Sequence, residues 1–237
     1  LKKRKYSGFA FIIVVLMIFS LPSMASAQLF SGGTKDYGAT HNVKGVSAYI
    51  YTPSTTPTMV TSATGSQFAS AWAMVADSYT ENFIQAGYAV EPECSGCNSS
   101  AHYFTAAYVT GTSPPYSELR TYGNPAGGTT HKYSVQYNGT SVGWTAYVDS
   151  TSIGSWFAGN LINFGNNIQY YSEIFDDPTH SPWWGTSSDK VTFSSIAYLN
   201  GTTVVTNPAL TFTTATGASI DSSTYVSPSW YFRTWKT

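Results

Sequence analysis

Residues 70–93, SAWAMVADSYTENFIQAGYAVEPE, decide the fold. Ser70 to Val75 and Asn82 to Glu91 read as two strands joined by a polar turn over Asp77–Glu81, because Phe83, Gln85 and Gly87 alternate with Ile84, Ala86, Tyr88 and Val90. That alternation places an amide, Gln85, in an otherwise apolar strand. A second run, Asn167–Asp177 (NIQYYSEIFDD), alternates in the same way, with Gln169, Tyr171, Glu173 and Phe175 on one face. Glu173 is the sole carboxylate inside that strand; Asp176 and Asp177 fall at its exit. If the two strands share a sheet, Gln85 and Glu173 meet in one aromatic-walled groove as a water-activating pair.

Working outward, the same period recurs. Val46, Ala48 and Ile50 alternate with Ser47, Tyr49 and Tyr51 before Pro53 stops the run, and Tyr103–Val109 follows as another strand. Gly111–Gly128 reads as a Pro- and Gly-punctuated loop of the kind that rims binding sites. Asn138-Gly139 and Asn200-Gly201, each flanked by β-branched and aromatic runs, signal hairpins. No convincing amphipathic helix intervenes. The expectation is all-β: a single antiparallel β-sandwich of jelly-roll or concanavalin-like type over 43–237, preceded by a flexible segment, 28–42, ordered only where it docks. Trp183-Trp184 reads as packing, and the final TYVSPSWYFRTWKT as a closing strand or a groove lining.

Residues 1–27 carry four basic residues, an apolar run from Phe9 to Leu21 and an Ala25-Ser26-Ala27 cleavage signal, the layout of a secretory signal peptide. The expectation is an extracellular, bacterial protein with no membrane association after cleavage. Losing Lys2, Lys3, Arg4 and Lys5 takes eleven basic residues to seven, against twelve acidic, which argues against nucleic acid as a partner. Charged residues are 10% of the chain and aromatics 16%, so the polar surface is built from uncharged groups and has few ion pairs to lose in acid. Cys94 and Cys97, in C-S-G-C, read as a short disulfide in an exported chain. The scattered His41, His102, His131 and His180 offer no metal-site spacing.

These residues carry a family resemblance. SAW, the acidic position after it and FIQAGYAVEP resemble the SAW…Asp…LQTG arrangement of the fungal glutamic peptidases (eqolisins). NFIQAGYAVEP is similar to the N-x-I-x-A-G-W/Y-x-V-x-P segment of the neprosin family, and NIQYYSEIFDD resembles the second acidic strand of both. The resemblance implies an antiparallel sandwich and a secreted endopeptidase acting on polypeptides in acid, with no metal or organic cofactor. It implies Gln85 and Glu173 as the catalytic pair, and Trp72, Tyr171 and Gln169 as substrate-binding residues, with Asp77 near the acidic residue after the tryptophan. Gln169 stands where the eqolisin strand has a Glu, a departure that bears on register. Two other readings stay open: a carbohydrate- or substrate-binding sandwich using exposed aromatics, and a glycoside hydrolase pairing Glu173 with Glu91 or Asp149 at about 5 to 9 Å.

Overall fold

Fifteen strands make up the regular structure of the computed structural model, which describes residues 28–38, 42–59, 68–90, 100–112, 115–121, 123–156, 165–175 and 182–237. They are β1 (Leu29–Asp36), β2 (Val43–Thr52), β3 (Ala69–Ala76), β4 (Phe83–Val90), β5 (His102–Tyr108), β6 (Tyr116–Thr121), β7 (Thr129–Tyr137), β8 (Trp144–Val148), β9 (Thr151–Trp156), β10 (Asn167–Ile174), β11 (Val191–Asn200), β12 (Thr203–Thr206), β13 (Thr211–Thr213), β14 (Ala218–Asp221) and β15 (Tyr231–Lys236). All pairings are antiparallel. Sheet A runs β13-β1-β10-β3-β4-β5-β6 and sheet B runs β14-β15-β11-β2-β7-β8-β9, with β12 added to β11. The two sheets pack face to face as a β-sandwich. Among the described residues no helix is long and apolar enough to cross a membrane.

Alternation explains the layers. Ile84, Ala86 and Tyr88 of β4 point inward, and the Tyr88 ring meets Tyr133 of sheet B at 6.0 Å and stands edge-on to Trp184 at 5.1 Å. Val46, Ala48 and Ile50 are buried from the opposite sheet, as their spacing predicts. Burying side chains of this size contributes roughly 1.5–3 kcal/mol each, which makes this interior the main source of stability. Polar bridges tie the sheets together: Tyr170 Oη donates to the Ala197 carbonyl at 3.0 Å, and the Ser172 and Thr234 hydroxyls pair at 2.6 Å. Trp183 and Trp184 are both buried; the Trp183 indole donates to the Thr216 carbonyl at 3.1 Å.

Several expectations need correction. The segment 28–42 is not loosely docked, because Leu29–Asp36 is a strand paired on both sides, to β10 and to β13. Its glycines, which look like linker residues, are the reason it fits. A Cβ on Gly32 would lie 2.8 Å from the Tyr171 ring, and one on Gly33 2.8 Å from the Phe212 ring. The Gly111–Gly128 stretch is likewise not a continuous loop, since β6 lies within it. At Asn138-Gly139 the turn is wider than the dipeptide predicts: β7 ends at Tyr137, β8 begins at Trp144, and Asn138 N bonds Gly143 O at 2.8 Å. The second hairpin is tight, with Asn200 opposite Thr203 and Gly201 in the left-handed region at φ 60°. Residues 1–27, Glu91, Cys94, Cys97, Asp176, Asp177, His41 and His180 lie outside the described residues.

Candidate active site

The sequence-predicted residues lie on the face of sheet A that points away from sheet B. Register sets them in rows across the strands. Phe30, Glu173, Ser70, Ala89 and His102 form one row; Gly32, Tyr171, Trp72, Gly87 and Phe104 form the next; Thr34, Gln169, Met74, Gln85 and Ala106 form the third. Their inward neighbours, Tyr88, Tyr170 and Ser172, meet sheet B, so alternation puts all three rows on the outer face.

The rows bring some predicted residues together and separate others. Trp72 and Glu173 are in direct contact: the indole Nε1 donates to Glu173 Oε2 at 2.7 Å, and the Ser70 hydroxyl approaches the same oxygen at 3.4 Å. Glu173 is 5% exposed, so these donors supply what water gives an exposed carboxylate. Gln85 and Glu173 share the face but not a row. They are four residues apart along the strands and two strands apart across them, about 13 Å by about 10 Å, and the Trp72 row lies between. Two extended side chains do not close that separation, so the expectation of a single water shared by Gln85 and Glu173 is not met. The residue facing Gln85 across Met74 is Gln169.

Tyr171 and Trp72 act as wall rather than as free ligand surface. Their rings meet at 5.5 Å, edge to face, and Phe30 of β1 closes a triangle with them at 6.2 and 5.7 Å. Burial pushes the Tyr171 phenol up from its ordinary value, while hydrogen bonding with the Thr213 and Thr34 hydroxyls offsets part of the shift. Gly87 lets Trp72 take this position, since a Cβ there would lie 2.7 Å from the Trp72 Cβ and 2.1 Å from the Ala71 carbonyl oxygen. The Gln85 carboxamide differs from its neighbours. Gln85 is 8% exposed, yet among the described residues its side chain makes no hydrogen bond; its backbone carbonyl accepts from Thr105 Oγ1 at 2.8 Å. A nearly buried amide without a partner among the described residues is the kind of group that a ligand satisfies.

Sequence reasoning missed Phe30, Ser70 and His102 on this face. Phe30 was hidden in a segment read as flexible. His102 is buried on the Glu173 row, and its alternation with Phe104 in HYFTAAY was the available signal. Asp77 lies at the opposite end of β3 from Ser70, its carboxylate accepting from Tyr79 N and Thr80 Oγ1 as a turn cap. Asp149 is no partner for Glu173: it sits in the β8–β9 turn of sheet B, bonded to His131 Nδ1 at 2.9 Å. The glycoside hydrolase pairing through Asp149 therefore falls.

No family model matches the chain, and no curated protein matches it. Among solved structures the fold is similar to that of a scytalidoglutamic peptidase with a peptide-based transition-state analogue, at 13% identity, covering 89% of this chain and 98% of that one, with a TM-score of 0.58. A family 16 endo-glucanase from Bacteroides ovatus aligns at 14% identity over 65% of this chain and 69% of that one, with a TM-score of 0.38. A tetrameric galectin from a Cinachyrella sponge aligns at 10% identity over 76% and 96%, with a TM-score of 0.36. At these identities the likeness concerns the fold alone.

Proposed function

We propose that the outer face of sheet A is a polypeptide groove and that the protein is an exported glutamic-type endopeptidase acting there. The observation that carries this reading is the Trp72–Glu173 contact, a buried carboxylate held by an indole N–H on the same face as an amide with no partner among the described residues. In this scheme Glu173 works at the scissile bond and Gln85 holds the substrate two rows further along the groove. Glu173 takes a proton from a water that attacks the carbonyl carbon, and the resulting acid returns the proton to the leaving amine. Gln85 donates its N–H to a main-chain carbonyl of the bound substrate. Trp72 and Ser70 keep the carboxylate oriented.

The test is hydrolysis of an unfolded protein by the purified protein, freed of residues 1–27, across pH 2 to 8. Acid-dependent cleavage is expected to vanish with Glu173→Gln and to fall about tenfold with Gln85→Ala, the order of one substrate hydrogen bond. Undiminished cleavage by Glu173→Gln sinks the assignment.

A second reading is favoured by the four-residue offset and by the amide that faces Gln85: a sandwich that binds polypeptide without cutting it. Binding with no cleavage by folded wild type at any pH selects it.

A further inference from the structure

Gln169 lies directly across Met74 from Gln85, one strand away on each side, with about 10 Å between the two backbones. Like Gln85, it makes no side-chain hydrogen bond to the protein among the described residues. The neighbouring hydroxyl on its other side does not satisfy it: Thr34 Oγ1 is engaged with Ile168 O at 3.1 Å and Asn167 Oδ1 at 3.2 Å. Met74 between the two amides is 2% exposed, so an occupant of this row meets carboxamides and not the thioether.

We propose that Gln85 and Gln169 form a clamp for the main chain of an extended polypeptide. The inference rests on the groove reading above and names its substrate class. Each carboxamide carries a donor and an acceptor, the same pair that a peptide group carries. The two carboxamides stand on the outer face on either side of β3, so a chain lying over Met74 runs between them and offers C=O to one amide and N–H to the other. Neither amide is charged, so the clamp is indifferent to the charge of substrate side chains. It discriminates on the backbone: a proline or N-methyl residue at the clamped position has no N–H to give.

The experiment uses purified protein carrying Glu173→Gln, so that turnover does not interfere, and an uncharged blocked octapeptide of alanine and serine. Binding is read by calorimetry for the parent peptide and for a series N-methylated at one position at a time. One position is expected to lose affinity about tenfold, the order of one hydrogen bond. Gln169→Leu is expected to bind the parent about tenfold more weakly and to respond equally to every N-methyl peptide. Gln169→Glu keeps an acceptor, so it retains the N-methyl sensitivity; this variant decides the matter if Gln169→Leu does not fold. Unchanged affinity in Gln169→Leu, a uniform N-methyl series with the Gln169 amide in place, or no peptide binding overturns the clamp. The outcomes separate from those of the hydrolysis test. Cleavage by wild type with a uniform N-methyl series removes the clamp alone; clamp binding without cleavage removes the peptidase alone.

Discussion

Two carboxylates in this molecule are each held by a ring N–H, and their surroundings make them opposites. Glu173 lies buried on the outer face of sheet A with the Trp72 indole at 2.7 Å; Asp149 lies on the rim of sheet B, its side chain 54% exposed, with His131 at 2.9 Å and the Lys132 amide at 2.9 Å. An indole cannot lose its proton, so its donation is independent of pH. The His131 contact sits at an exposed rim instead, where solvent screens it. Burial raises the pKa of Asp149, but the hydrogen bonds from His131 and Lys132 outweigh it and leave the carboxyl below its ordinary value. Asp149 also has φ 55°, and its carboxylate braces this left-handed turn against β7. The first contact orients a buried carboxylate, while the second holds a hairpin.

The contrast can be broken at either end. The largest effect is expected at Glu173→Gln: activity disappears while the thermal unfolding midpoint stays close to wild type, because the carboxamide oxygen still accepts from Trp72. Next is Trp72→Phe, which leaves the buried carboxylate without its indole donor. Chemical denaturation should show a loss of about 2–3 kcal/mol, in the range for hydrogen bonds to charged groups, with cleavage falling alongside it. Phe30→Ala opens the aromatic triangle from the β1 side and should cost about 2 kcal/mol, since the ring is partly buried. An unchanged denaturation midpoint would mean that β1 contributes nothing to the wall.

The smallest effect is expected at the rim. Asn tolerates the left-handed conformation, so Asp149→Asn removes charge without backbone strain and should cost under about 1 kcal/mol at neutral pH, given solvent screening. The sign follows from the depressed pKa. The stability contributed by the Asp149 carboxylate is present above the unfolded value of about 3.9 and is lost as pH falls through the folded value. Wild type and Asp149→Asn should therefore converge in stability below pH 4, and in high salt.

Local alternation made much of this visible beforehand. Gln85, Trp72, Tyr171 and Glu173 fall on one face because side chains alternate, and a period of two can be read in any single strand. Register cannot be read that way. Whether Glu173 or Gln169 faces Gln85 depends on how β10 and β4 each pair with β3, a non-local choice among positions that all keep the same faces buried. β1 was illegible for another reason. Gly32 and Gly33 have low strand propensity, and their value appears only when the Tyr171 and Phe212 rings lie against them.

That same strand bears on how the molecule is made. Thr34 leaves the ribosome early, but its partner Asn167 follows 133 residues later, and β13, the other neighbour of β1, comes later still. Closing sheet A is thus a late event that waits for residues more than a hundred positions downstream, the kind of long-range pairing that folds slowly. A chain built in this order holds β1 without either neighbour until β10 and β13 have been made.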